Sequence, residues 1–88
     1  MSCGVKIASP LRSYTAGKAS TPVAGNTLAA VLAELERRFP GMRFRMIDEH
    51  DRIRPHIRFF INTREALSLQ DKVSSADEVH ILCALSGG

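Results

Sequence analysis

The stretch GNTLAAVLAELERRFPG, residues 25–41, decides how the rest of the chain is read. Leu28, Val31, Leu32, Leu35 and Phe39 recur at spacings of three and four, so they share one face of a helix, and the stretch is expected to be amphipathic and helical. Asn26 or Thr27 offers a side-chain oxygen to an orphan amide at its start. Arg37 and Arg38 complement the negative end of its dipole, and Pro40-Gly41 stops it. The apolar stripe reads as core. Ala29, Ala33, Glu36 and Arg37 lie off it, which leaves the opposite face to water.

Working outward, Val5, Lys6, Ile7 and Ala8 alternate apolar with polar or small side chains until Pro10 removes a ladder donor, which predicts a first strand ending in a turn. Leu11 to Gly17 leads on to a weakly alternating stretch, Ala19 to Val23, where Pro22 confines a second strand to a short length or a sheet edge. Downstream, Met42 to His56 shows no sustained period and is expected to be a loop with at most a short extended piece. Ile57, Phe59 and Ile61 share one side of a strand over Ile57 to Asn62, with Phe60 on a partly covered opposite side. Asn62-Thr63 begins a turn, and Ala66, Leu67 and Leu69 form a short apolar patch before Asp71. Val79, Ile81 and Cys83 alternate with His80 and Leu82 in a last strand, which the chain leaves as Ala84-Leu85-Ser86-Gly87-Gly88. Strands, one helix, then strands again is the order of a single sheet with a helix on one face, an α+β fold.

At 88 residues the chain is about half an ordinary domain, which leaves room for one core and excludes a two-domain enzyme. Twelve Lys and Arg against nine Asp and Glu, with 44% hydrophobic residues, match a folded globular domain rather than a disordered tail. Apolar runs are broken by Arg, Glu or His well short of the roughly 20 residues a membrane helix needs. The first residues show no leader pattern, so a cytoplasmic address and no membrane partner are expected. Cys3 and Cys83 read as free thiols, with no CxxC or Cys/His cluster for zinc. His50, His56 and His80 read as surface or strand-face residues outside any HExxH pattern. Glu34 and Glu36 are two apart and do not face each other on a helix, so they make no acid–base pair. Neither a GxSxG elbow nor a glycine-rich phosphate loop is present. The positive charge sits mid-chain at Arg43, Arg45, Arg52, Arg54, Arg58 and Arg64, interleaved with Asp48, Glu49, Asp51 and Glu65. That dilution favours a solvated face or a protein contact over nucleic acid.

The unusual feature is the end. Glycine makes up about 7% of average sequence, so a terminal Gly-Gly arises by chance in roughly one chain in 200. Two residues without Cβ give a thin strand that enters a narrow cleft, and the last group is a carboxylate. A carboxylate is a poor electrophile, but adenylyl transfer turns it into a mixed anhydride open to sulfur or nitrogen nucleophiles. The chain is then the substrate and a larger partner brings the catalytic residues.

Over nearly its full length the chain resembles the ThiS/MoaD-like sulfur carrier family, whose members have the β-grasp, or ubiquitin-like, fold. The likeness is carried by Val5-Lys6-Ile7 with Pro10-Leu11-Arg12, by Gly25-Asn26-Thr27-Leu28 with Val31, Leu32 and Leu35, and by Phe39-Pro40-Gly41. Phe60-Ile61-Asn62, Leu69, Asp71, Val73, Asp77-Glu78-Val79-His80-Ile81-Leu82 and the terminal Ala84-Leu85-Ser86-Gly87-Gly88 complete it. The resemblance implies a mixed sheet of four to five strands with one main helix, a single domain over residues 1–84 and a flexible tail over 85–88. It implies that Gly88 is adenylated by an E1-like enzyme using ATP and magnesium and becomes a thiocarboxylate through a sulfur donor such as a sulfurtransferase or persulfide. A sulfur-accepting synthase then takes the sulfur for molybdopterin, thiamin, cysteine or a similar metabolite. On this reading the chain is a co-substrate rather than an enzyme and binds no cofactor or metal itself. Gly87 and Ser86 thread the partner cleft, Leu85, Leu82 and Phe60 form an apolar docking surface, and Arg52, Arg54 and Arg58 select the acceptor. Two departures stand out. The family's Gly-Asp turn before the last strand is Ala76-Asp77, which calls for a different turn backbone because Ala tolerates positive φ poorly. A late proline of the last strand is replaced by Cys83, read as a half-buried small hydrophobe without a catalytic role. The alternatives are a ubiquitin-like modifier conjugated through Gly88 and a non-covalent protein-binding module.

Overall fold

The computed structural model describes residues 2–84. Its elements are β1 (Ser2–Lys6), β2 (Ser20–Ala24), α1 (Leu28–Arg38), α2 (Met42–Met46), β3 (Ile57–Ile61), β4 (Arg64–Ala66) and β5 (Glu78–Cys83), with a single 3₁₀ turn at Ser9–Leu11. The five strands form one mixed sheet in the order β2-β1-β5-β3-β4. β1 and β5 are parallel, and every other neighbouring pair is antiparallel. The second strand lies at an edge, where Pro22 costs the sheet no interior pairing.

Helix α1 begins where the three orphan amides of its first turn, Leu28, Ala29 and Ala30, find acceptors and Val31 makes the first intrahelical bond. Leu28 N donates to Asp71 O (2.9 Å) and Ala29 N to Leu69 O (2.8 Å), both on the segment that crosses over to β5. Ala30 N donates to Thr27 Oγ1 (3.1 Å), and Val31 N to Thr27 O (3.0 Å). Leu28, Val31, Leu32 and Leu35 have no exposed surface and join Val5, Ile7, Val23, Phe59, Ile61, Val79 and Ile81 from the sheet in one core cluster. At roughly 1.5–3 kcal/mol per buried large aliphatic side chain, this stripe is the main reason the helix persists. Gly25 is required just before it. Its φ is +155°, and a Cβ there would come 2.8 Å from Val31 N and 3.0 Å from Val31 Cγ2. Gly25→Ala is therefore expected to cost about 1–3 kcal/mol through overpacking against backbone, read as a fall in the thermal midpoint.

The segment expected to be a loop, Met42 to His56, is more ordered than that. Met42 and Met46, one helical turn apart on α2, and the following Ile47 are completely buried. Five residues are too few for a period to show in the sequence, and the cap is remote: Glu36 of α1 accepts from Gly41 N and Arg43 N, each at 2.9 Å. Ile47 then bridges to Ile53 around a turn in which Asp48 Oδ1 accepts from His50 N (2.8 Å) and Arg52 N (3.0 Å).

The turn before β5 also resolves. Ala76 keeps a negative φ, and the segment is held from the β3–β4 turn by Asn62, whose own φ is +58°. Asn62 Nδ2 donates to Asp77 Oδ1 (2.9 Å), Asn62 Oδ1 accepts from Glu78 N (3.0 Å), and Asp77 Oδ2 accepts from Ser74 N (2.9 Å). Side-chain carbonyls and carboxylates thus hold the register that a glycine would otherwise permit.

Four carboxyls are held below their usual range. The Arg37 guanidinium lowers Glu34, the Gly41 and Arg43 amides lower Glu36, the Arg52 amide lowers Asp48, and the Ser74 amide lowers Asp77. A carboxyl depressed in the folded state adds stability that is complete above its unfolded value, about pH 4, and is lost as pH falls through the folded value. The thermal midpoint is accordingly expected to hold between about pH 5 and 7 and to drop below about pH 4. Glu36→Gln should flatten that drop, and melts taken across the acid range check it.

Candidate functional site

Strand β5 lies between β1 and β3, at the middle of the sheet, and is the last described element. Directly paired residues point to the same side of a sheet. Val79 and Ile81 point to the core, and the alternate residues make an open face. Across it, Lys6 pairs with His80, His80 with Phe60, and Phe60 with Glu65, while Leu82 pairs with Arg58 one row nearer the exit. Arg58 Nη1 lies 3.1 Å from Glu65 Oε2, and His80 Nε2 lies 3.0 Å from Glu78 Oε1. Leu82 is 46% exposed, and Phe60 is half-buried beside it. The expected apolar patch of Leu82 and Phe60 is thus one surface with Arg58 at its rim. Leu85, Ser86, Gly87 and Gly88, the other residues assigned to docking, threading and activation, lie outside the described residues.

Arg54 and Arg58 line one shallow hollow with Ile53, Pro55 and Glu65, and Arg52 stands in the hollow next to it. Arg58 belongs to the open sheet face. Arg52 lies in a hollow lined by Arg43, Asp51, Ile53 and Leu69. Arg54 also lies in a groove of about 540 Å³ at the foot of β5, together with Leu11, Tyr14, Phe44, Arg45 and His56, and with Cys83 and Ala84 at its edge. Sequence reasoning missed this groove. Its single clue was Arg43-Phe44-Arg45 between two buried methionines: on a helical turn anchored by Met42 and Met46, Phe44 points away from the core. Phe44 is 58% exposed. Tyr14, from the far end of the chain, gave no signal.

Cys83 and Cys3 are both free thiols. Parallel pairing of Gly4 with Glu78 sets Cys3 near the start of β5 and Cys83 at its end, too distant for a disulfide. Burial pushes the Cys83 thiol up, which lowers the thiolate fraction and suits a packing role. Among the described residues no three His, Cys, Asp or Glu side chains are grouped to hold a metal, and no helix is long and apolar enough to cross a membrane.

A five-stranded mixed sheet with a parallel central pair and one main helix on a single face is a β-grasp domain of the ubiquitin-like class. The ThiS family profile matches residues 5–88, and the chain belongs to that family. The sulfur carrier protein CysO of Mycobacterium tuberculosis is 30% identical over 93 aligned residues spanning both chains entirely. CysO in the Amycolatopsis orientalis BexX/CysO complex superposes with a TM-score of 0.90 at 27% identity, covering 98% of this chain and 99% of the other. Small archaeal modifier protein 1 of Methanosarcina acetivorans gives a TM-score of 0.82 at 25% identity, covering 99% and 96%.

Proposed function

We propose that this chain is a sulfur carrier of the CysO kind, activated at Gly88. The carboxylate of Gly88 attacks the α-phosphorus of ATP in an E1-like partner that also binds magnesium, and pyrophosphate leaves. Hydrosulfide from a sulfur donor then attacks the acyl-adenylate carbonyl, AMP departs, and a thiocarboxylate remains for a sulfur-accepting synthase. The chain supplies the acyl group and a docking surface, and the partner supplies the catalytic groups. The observation that carries this reading is that the family match extends to the end of the chain and includes Gly87-Gly88. The relatives named CysO favour the cysteine-biosynthesis branch over molybdopterin or thiamin. The BexX/CysO complex supports a protein partner. Leu82, Phe60 and Arg58, beside the strand that leads to the tail, are the natural contact for it.

Intact mass after incubation with an E1-like enzyme, ATP and sulfide tests the proposal. Exchange of one terminal oxygen for sulfur is the expected result, and an unchanged mass with active enzyme refutes it. The likeness to small archaeal modifier protein 1 favours a second reading, conjugation of Gly88 to lysines. Denaturation-resistant adducts that disappear when Gly87 and Gly88 are removed would identify it.

A further inference from the structure

We propose that the groove at the foot of β5 seats an acidic segment of the enzyme that adenylates Gly88, its carboxylates held by the guanidinium forks of Arg45 and Arg54. This rests on the activation reading above and adds the partner's chemistry. The first support is reach. Ala84 lines the groove and is tied down by Ala84 N donating to His56 O at 2.8 Å. Only four residues run from there to Gly88, which span at most roughly 13–14 Å. An enzyme acting on Gly88 must therefore come within that distance of Ala84, at the edge of the groove.

The second support is charge. Arg37, Arg38, Arg43, Arg58 and Arg64 each have a carboxylate within salt-bridge distance. Arg45 and Arg54 have none among the described residues, although they flank the chain exit. Both are held in place by other means. Arg45 Nε donates to Tyr14 Oη (2.7 Å), with its guanidinium carbon 6.0 Å from the Tyr14 ring centre. Arg54 Nε donates to Phe44 O (2.7 Å) and stacks 4.5 Å from the Phe44 ring centre. Each Nε is used internally, while the paired Nη groups make no hydrogen bond among the described residues. A planar fork already oriented loses little entropy on accepting a carboxylate. Exposed Phe44 adds an apolar wall for a side chain between the acids. A phosphate backbone is a poorer match, because Arg58, which shares a hollow with Arg54, is paired with Glu65, and Arg52 stands beside Asp51, so carboxylates interrupt the basic residues on both sides.

Two measurements test it. In adenylation assays, Arg45→Glu with Arg54→Glu should raise KM for the carrier about 30- to 100-fold, at about tenfold for each fork lost (1.4 kcal/mol per tenfold), with kcat within about twofold. Arg54→Lys should recover part of the loss, and Arg37→Glu on the solvent side of α1 should change little. An unchanged KM in the double variant at low salt overturns the proposal while the activation reading stands; failure of the wild-type chain to be adenylated sinks that reading instead. The second measurement needs no enzyme. The acetylated, amidated peptide Glu-Asp-Phe-Asp-Glu, titrated into the ¹⁵N-labelled full chain, should shift the amides of Tyr14, Phe44, Arg45, Arg54 and His56 with millimolar affinity, and the shifts should vanish in Arg45→Gln/Arg54→Gln. Shifts centred instead on Phe60 and Leu82, no shifts at all, or tighter binding of a single-stranded oligonucleotide in the groove would overturn it.

Discussion

Deleting Gly88, or Gly87 and Gly88 together, is expected to abolish activation, with thiocarboxylate formation falling at least about a thousandfold and the thermal midpoint unchanged. The loss has two physical sources. Deletion moves the terminal carboxylate back by one or two residues, each worth about 3.3 Å of reach in an extended chain, while reacting atoms must meet within about 3–3.5 Å. It also brings a side-chain-bearing Ser86 to the end when both glycines go, and on the activation reading its Cβ then has to enter a cleft that takes bare backbone. Stability should not move, because the core cluster runs from Cys3 to Ile81. Intact mass with ATP and sulfide, alongside a thermal melt, separates the two quantities. Partial activity in the Gly88 deletion would place the reactive carbon elsewhere.

The parts of the fold that could be read from residues alone are those where one face of a long element is buried. Leu28, Val31, Leu32 and Leu35 announce α1 because eleven residues give the helical period three turns in which to repeat. Ile57, Phe59 and Ile61 do the same for β3 with period two. Helix α2 was not readable, since Met42 and Met46 supply a single repeat and the group that starts it, Glu36, belongs to another element. The Ala76-Asp77 turn takes the different backbone that its alanine calls for, but what holds it could not be read, because Asn62 lies fifteen residues from Asp77 in the chain. For the candidate site, the grouping of Leu82 with Phe60 came from the family resemblance, and the register of β3 on β5 puts the two on one face. The arginines were grouped by closeness in sequence; the irregular backbone between α2 and β3 keeps Arg54 and Arg58 around one hollow and turns Arg52 into the next, beside Arg43 and Asp51. The groove with Tyr14 was beyond reach because Tyr14 and Arg45 are 31 residues apart.

Phe59→Ala is expected to produce the largest loss of stability in the chain. Phe59 is the bulkiest of the fully buried side chains, and it pairs with Ile81 of β5 on one side and Ala66 of β4 on the other, beneath α1. Truncation removes the ring's transfer free energy and leaves a cavity that the surrounding sheet closes only in part, costing about 3–5 kcal/mol. A domain of 88 residues holds on the order of 4–13 kcal/mol in total. The thermal midpoint should therefore fall by about 15–30 °C. Phe59→Leu keeps most of the volume and should lose less than half as much. The consequence for activation follows from where Phe59 sits. Its strand carries Arg58 and Phe60 on the open face and pairs along the whole of β5, so the docking face and the root of the tail fail together when the core opens. Thiocarboxylate formation in Phe59→Ala should track the folded fraction, returning toward the wild-type rate as temperature is lowered from the midpoint into the folded range. The Gly88 deletion should stay inactive at every temperature. Activity in Phe59→Ala that persisted above its own melting transition would mean that the partner reads the tail alone, and that neither the open sheet face nor the groove contributes to recognition.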